Sequence, residues 1–426
     1  MTEEILASAR SAANNAPPVG DPAYARYCDL LARLLTRHWP TVLAANAEDL
    51  SDAEQRGLPE VLLGRLRLGD AHLRQLTDLT QAVPTELAAL TAPDEGTVLT
   101  GRGRLRRVPK PLGVVLMVYE ARPTVTVEGA LLPVAAGNAV LLRGGKEIAR
   151  TNAALGEVAR EALRAAGLPA ELVTVLDDPD RRLLRALLKR HDAVDVLIPR
   201  GSPSLIDHCR SATAIPVIAS GGGVNHLYVH RDADLALAAE IALDSKLPEP
   251  TACNTAEMVL ADTEVCEEFA AALVKASERD GRQVTIRLDP RVTPPPAAPE
   301  LCRIEPLREH DLGREFLDTT IAVRPVTGPD EALTHIRRHG SGHTEGVVTS
   351  DGAVAEEFAR RADAAAVVVN GSLRLHDGPT LGLGPEISIS TGRLHVRGPV
   401  TLAALVTHSW LVEAGGALRG TATDPS

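Results

Sequence analysis

The residues of this chain best suited to chemistry lie in a short stretch, 247–257, which reads LPEPTACNTAE. Cys253 carries a thiol, a strong nucleophile once ionised, and Asn254 beside it offers an amide donor. Pro248 and Pro250 cannot donate to a ladder and disfavour a helix before them, so the stretch is expected to run as an irregular, extended loop. The apolar run at 258–261 predicts a strand, with Cys253 at the turn leading into it. Two readings stand side by side here. A thiol on a rigid loop is where covalent catalysis wants its nucleophile. Cysteine is also a small apolar residue that is usually buried and inert.

Two glycine-bearing strand ends could receive a phosphate. In LLRGGKE (141–147), Gly144 and Gly145 allow close backbone approach, and Arg143 and Lys146 add positive charge beside a helix start. The pattern is neither GxGxxG nor a P-loop, and a plain strand-to-helix turn fits it as well. In LIPRGSPSL (197–205), Gly201 and Ser202 open a helix directly after a strand. That suits a phosphate, and it equally suits an ordinary Ser N-cap. The glycines 221–223 keep space open, either for a ligand or for a tight chain crossing. His208 with Cys209, and His226 with His230, lack second ligand pairs at metal spacing, so no metal site is expected.

These segments need a scaffold, and the composition permits one. The chain has 426 residues, 44% of them hydrophobic, enough for on the order of two or three domains. Aromatics at 2% leave the cores to Leu, Val, Ile and Ala and provide no platform for stacking bases. A net charge of −11 argues against nucleic acid or an anionic membrane as partner. Cys28, Cys209, Cys253, Cys266 and Cys302 are widely spaced without a CxxC pair, as expected in a reducing compartment. The start, MTEEILASAR, lacks the apolar core of a signal peptide, and no apolar run reaches the ~18 residues of a membrane span. A soluble cytoplasmic protein is the expectation.

Residues 1–92 read as helical. Asp21 is an N-cap with Pro22 at the first helical position, and Tyr24, Tyr27, Leu30, Leu31 and Leu34 fall near one face. Further helices are expected over 40–55 and 70–90. Residues 96–109 read as a β-hairpin with Arg102, Arg104, Arg106 and Arg107 along an exposed ribbon. From 113 to 230 strands alternate with helices: GVVLMVY, AVLLR, LVTVL, AVDVLI and IPVIA. This alternation predicts a doubly wound parallel sheet with ligand sites at the carboxyl ends of its strands. HLYVH begins a second α/β unit, continued by TTIAV, EGVVTS and AAVVVN, and 293–300 is a Pro-rich surface connection. The segment 402–412 could supply one more strand.

With these pieces in order, the chain resembles the gamma-glutamyl phosphate reductases of the aldehyde dehydrogenase superfamily. The resemblance runs nearly end to end and is densest in YEARP, GNAVLLRGGKE, VDVLIPRGS, ACNTAE and TGRLHVRGP. It implies an α/β, aldehyde dehydrogenase-like fold: two doubly wound parallel-sheet domains and a small oligomerisation sheet. Residues 1–95 and 110–227 would form the nucleotide-binding domain and 228–398 the catalytic domain with Cys253. Residues 96–109 and 399–426 would be the oligomerisation segments. By similarity, Arg143, Gly144, Gly145 and Lys146 lie near the adenosine ribose, Gly201 and Ser202 near the diphosphate, and Glu315 at the nicotinamide ribose. The positive Arg143 and Lys146 favour NADP over NAD.

The implied chemistry is acyl-phosphate reduction. Cys253 expels phosphate to form a thioester, and hydride from NADPH carries this to the aldehyde. The Cys253 amide and the Asn254 side chain are the candidate oxyanion donors. Aldehyde-oxidising relatives carry a general-base glutamate where Ala219 or Ser220 stands here, and its absence protects the thioester from water. Arg122 and Arg374 could hold a substrate carboxylate, and Glu249 an ammonium. The implied partners are a small-molecule acyl phosphate, a cognate amino-acid kinase and further copies of the chain, in proline biosynthesis. Family members commonly have Arg where Glu249 stands, Asn for Thr124, and Phe where Leu375 and Leu381 stand. These departures leave open a relative acting on another acyl phosphate. A catalytically silent subunit is a third class, against which the intact ACN and glycine turns speak.

Overall fold

A computed structural model of the chain describes residues 2–92, 96–99, 103–176, 181–279, 281–297 and 300–418. They divide into two units: Met1–Ala219 with Leu383–Ser388 and Val400–Ser426, and Ser220–Gly382 with Ile389–Pro399.

In the first unit the helical start consists of Thr2–Asn15, Pro22–Gln55, Glu60–Leu66 and Asp70–Leu90. Asp21 caps as expected, its side chain accepting from the Ala23 N–H. The helices expected from 21 and from 40 are one continuous helix through Pro40. Pro40 sits on the exposed side, where the missing N–H costs least. Trp39, Val42 and Asn46 continue the buried stripe across it, and that packing outweighs the break. The stripe runs Tyr24, Tyr27, Cys28, Leu31 and Leu35, with Leu30 and Leu34 only partly covered.

Four parallel strands form the sheet of this unit, in the order Val173–Val175, Ala139–Arg143, Val114–Tyr119, Val196–Arg200. Val114–Tyr119 is buried along its whole length, as a central parallel strand should be. Helix Ala149–Ala166 ends at Gly167, whose φ of +80° is left-handed and cheap only for glycine. The strand expected at IPVIA (215–219) shrinks to a single bridge, Leu197 to Val217, because Pro216 and the glycines that follow interrupt it.

Thr97–Leu99, Gly103–Pro111 and Val406–Glu413 form a separate antiparallel sheet. The hairpin turn, with Arg102, lies outside the described residues. Arg106 pairs with Glu413 at 3.3 Å, and the Arg107 guanidinium lies over the Trp410 ring. The segment 398–401, expected in this sheet, instead joins Glu386–Ser390 in a two-stranded one.

The second unit is built on seven parallel strands, in the order Cys302–Pro306, Val284–Leu288, Thr320–Val326, Ala256–Asp262, Asn225–Val229, Thr344–Val348, Ala366–Val369. The first two, Val284–Leu288 and Cys302–Pro306, and helix Cys266–Arg279 carry no signal in the sequence reading above. The buried central strand Ala256–Asp262 is entered directly from the cysteine loop. Cys253, the glycines 221–223 and Glu315 therefore precede their strands and lie at amino ends. No described helix is long and apolar enough to cross a membrane.

Candidate active site

The loop ahead of Ala256–Asp262 is a succession of turns rather than an extended run: the Ala252 N–H donates to the Glu249 carbonyl at 3.0 Å. A proline fixes its own φ at a value that also suits a turn, so the two prolines shape turns instead of straightening the chain. Cys253 is exposed at the tip and the other four cysteines are buried. Burial pushes the thiols of Cys28 and Cys266 up to about 12 and that of Cys209 to about 11, and raises Cys302. Four of the cysteines are thus buried, and Cys253 is not.

The Cys253 backbone is pinned from beneath. Its carbonyl accepts from the Asn225 side chain at 2.8 Å, and the same amide nitrogen donates to the Thr255 carbonyl at 2.7 Å. A Cβ on Gly223 would lie 1.5 Å from the Cys253 carbonyl oxygen. The glycine run is therefore a tight crossing on which the cysteine loop rests. Glu315 joins it there, accepting from the Gly223 N–H at 2.5 Å, with its other oxygen against Gly222. Where oxidising relatives are expected to hold a base, Ala219 is buried and Ser220 is bridged to Ser390.

Asn254 does not present its side chain as expected. Its amide nitrogen donates to the carbonyls of Arg374 and His376, and its oxygen accepts from the Arg374 guanidinium. Both amide hydrogens are used, so an oxyanion donor on this loop falls to backbone N–H groups. Arg374 and Glu249, read as separate contacts for a carboxylate and an ammonium, pair with each other at 2.7 Å. Cys253, Asn254, Glu249, Arg374 and Glu315 are thus brought together in the second unit. Arg122 belongs to the first, exposed, with no ion pair among the described residues.

The first unit holds a cleft of about 660 Å³ at the carboxyl ends of Val114–Tyr119 and Ala139–Arg143. Arg143, Gly145 and Lys146 line it. The Arg143 guanidinium reaches the Gly144 carbonyl, and Lys146 is exposed with no ion pair among the described residues. A Cβ on Gly144 would meet the Asn152 side chain at 2.1 Å, and one on Gly145 the Glu147 carboxylate at 2.7 Å. Ser202 is the N-cap of Pro203–Ser211, its hydroxyl accepting from the Leu205 N–H at 3.4 Å. Its own N–H donates to the Glu120 carboxylate at 2.8 Å, and a Cβ on Gly201 would strike that carboxylate. An acidic side chain therefore sits where an anion was expected.

Four residues of this region escaped the sequence reading: Asn225, Glu120, Lys246 and Glu257. Asn225 follows the glycines, and Glu120 and Glu257 stand inside YEARP and ACNTAE, so proximity to the motifs was their only signal. Lys246 ends a helical segment like any surface lysine, yet it is fully buried against Glu257.

The chain belongs to the aldehyde dehydrogenase family, whose model matches residues 64–292. It is 43% identical over 92% of its length to a gamma-glutamyl phosphate reductase of Symbiobacterium thermophilum, covering 93% of that protein. To that of Salmonella paratyphi C it is 39% identical over 98% of this chain and all of the other. The crystal structure of gamma-glutamyl phosphate reductase from Thermotoga maritima superposes with a TM-score of 0.85 at 31% identity, covering 98% of this chain and 99% of that one. Within the family, the chain's place is with the gamma-glutamyl phosphate reductases. It is an oxidoreductase of a family that uses nicotinamide cofactors.

Proposed function

We propose that this enzyme reduces gamma-glutamyl phosphate to glutamate 5-semialdehyde with NADPH, releasing phosphate, as a step of proline biosynthesis. The observation that carries the reading is Cys253, the one exposed cysteine, held on a pinned loop in a chain whose full-length relatives bear that enzyme's name. The Cys253 sulfur attacks the acyl carbon, the carbon–oxygen bond to phosphate breaks, and a thioester remains. Backbone N–H groups of the loop stabilise the oxyanion. NADPH, when bound, would supply a hydride to the thioester carbon, and breakage of the carbon–sulfur bond would release the aldehyde and return the Cys253 thiol. Ala219 and Ser220 put no carboxylate beside the glycines to activate water, and the Glu315 carboxylate there is engaged by Gly223. Mixing the semialdehyde, phosphate and NADP and following NADPH absorbance tests the reaction in reverse. No phosphate-dependent absorbance change would end this reading.

The residues of the first cleft suit a dinucleotide: parallel-strand carboxyl ends, Gly145, and three cations, Arg143, Lys146 and Arg185. We assign the nucleotide to the first unit and catalysis to the second. Arg143 and Lys146 favour the 2′-phosphate. Arg143→Ala is expected to weaken NADP binding by about tenfold, ~1.4 kcal/mol, and NAD binding by less than about twofold. Titrating both dinucleotides against both proteins measures this, and equal losses would remove Arg143 from 2′-phosphate recognition. The antiparallel sheet, with Trp410 58% exposed, would join copies of the chain in the cytoplasm, supplied by a cognate amino-acid kinase.

A second reading, reduction of a different acyl phosphate, is favoured by the Arg374–Glu249 pair. An arginine already satisfied by a carboxylate is a poorer receptor for the substrate's own. Glu249→Gln is expected to lower KM for the semialdehyde by up to about tenfold by freeing Arg374. The test is the same reverse assay on both proteins, with N-acylated analogues alongside. An unchanged KM would mean that Arg374 does not meet the α-carboxylate.

A further inference from the structure

Lys246 stands just before the cysteine loop and Glu257 is the second residue of the strand that follows it, and both are buried. The Lys246 ammonium lies 2.8 Å from Glu257 Oε2, with side-chain exposures of 0% and 3%. The same oxygen accepts from the Phe316 N–H at 3.0 Å, and Oε1 accepts from the Thr255 hydroxyl at 3.0 Å. One carboxylate thus fastens the start of the loop, its end, and the segment that carries Glu315. Lys246 also lies over the Phe316 ring, 5.9 Å from its centroid.

These contacts close a ring. From Cys253 the chain runs through Thr255 to Glu257, across to Phe316 and its neighbour Glu315, from Glu315 to the Gly223 N–H, and from Gly223 back to the Cys253 carbonyl. Global stability is a weak reason for such a pair. Desolvating two charges costs several kcal/mol, and buried ion pairs can often be replaced by apolar residues without loss. What an apolar pair could not do is receive an N–H and a hydroxyl from two different segments at defined points.

We infer that Lys246 and Glu257 are positioning residues that fix the Cys253 loop in register with the Glu315 segment. The inference rests on the reading of Cys253 as nucleophile. Neither residue meets substrate. Both act through the backbone they hold.

The test uses the full chain carrying Glu257→Gln, with the double variant Lys246→Met plus Glu257→Gln removing both charges in case the single variant leaves an unpaired ammonium that prevents folding. Thermal melting establishes the folded fraction. The reverse reaction gives kcat and KM, and iodoacetamide alkylation of the free protein reports the setting of Cys253 independently of any substrate. The expected result, per folded molecule, is a kcat loss of at least about tenfold with KM within about threefold, and an alkylation rate altered at least about fivefold. A kcat that falls only with the folded fraction overturns the inference. So does a kcat loss with alkylation within about twofold of wild type, because the cysteine would then be where it was. If wild type fails to turn over the semialdehyde, the substrate assignment falls, and alkylation alone decides whether the pair positions Cys253.

Discussion

Cys253→Ala is expected to lower turnover by at least about a thousandfold while leaving the melting temperature and dinucleotide affinity near wild type. The loop is held by its backbone, through Asn225 and Gly223, and those two contacts do not involve the sulfur. The same substitution at Cys28, Cys209, Cys266 or Cys302 removes a buried thiol and should act on stability, not on the chemical step. Assaying all five variants in parallel separates the two effects. Residual activity of more than a few per cent in Cys253→Ala would rule out a thioester on that residue.

Gly223→Ala is expected to cost turnover at least about a hundredfold, although glycine and alanine differ by one methyl group. The added carbon would meet the Cys253 carbonyl oxygen at 1.5 Å and its carbonyl carbon at 2.4 Å, backbone atoms that cannot swing aside. Either the loop lifts, carrying the sulfur with it, or the strand entry at Asn225 shifts. Gly222→Ala makes a graded comparison, since its obstacle at 2.7 Å is the Glu315 carboxylate, a movable side-chain end. Its effect should be smaller and fall on dinucleotide binding. Gly352→Ala meets nothing within 4 Å and should be neutral. Kinetics and melting curves on the three proteins test the series. Gly223→Ala with more than about a tenth of wild-type turnover would mean the loop does not depend on that crossing.

The sequence was readable at several points where a local rule governed, though not at Cys266–Arg279 or Val284–Leu288, whose periodicity is local too. Asp21 with Pro22 announced a helix start, AVLLR a buried strand, and Gly167 a helix end, because capping, parallel burial and left-handed φ each leave a mark in a few residues. At Cys253 the expectation of a nucleophile came from resemblance, not from a local rule. Reading failed where partners distant in sequence decide the outcome. Pro40 looks like a boundary until the packing of Trp39 and Val42 overrides it. Asn254 looks like a donor until Arg374 and His376, more than a hundred residues away, take both of its hydrogens. Glu249 and Arg374 each look like a substrate contact until they are found paired. Lys246 offers no sign of burial, because nothing local distinguishes a lysine with a distant carboxylate from one in water.

The chain order of the antiparallel sheet also governs how the protein can be made. Gly103–Pro111 receives its second neighbour only from Val406–Glu413, about 300 residues later. At ribosomal rates of ~5–20 residues per second, that strand waits roughly 15–60 seconds with one edge unpaired, while the whole seven-stranded sheet is synthesised in between. An open edge of that kind invites pairing with other nascent chains. Arg104, Arg106 and Arg107 lie along it, and mutual repulsion between identical basic edges opposes such pairing until the late strand brings Glu413 and Trp410 to meet them. Of the described strands, the last to emerge closes the edge that the first hundred or so residues left open.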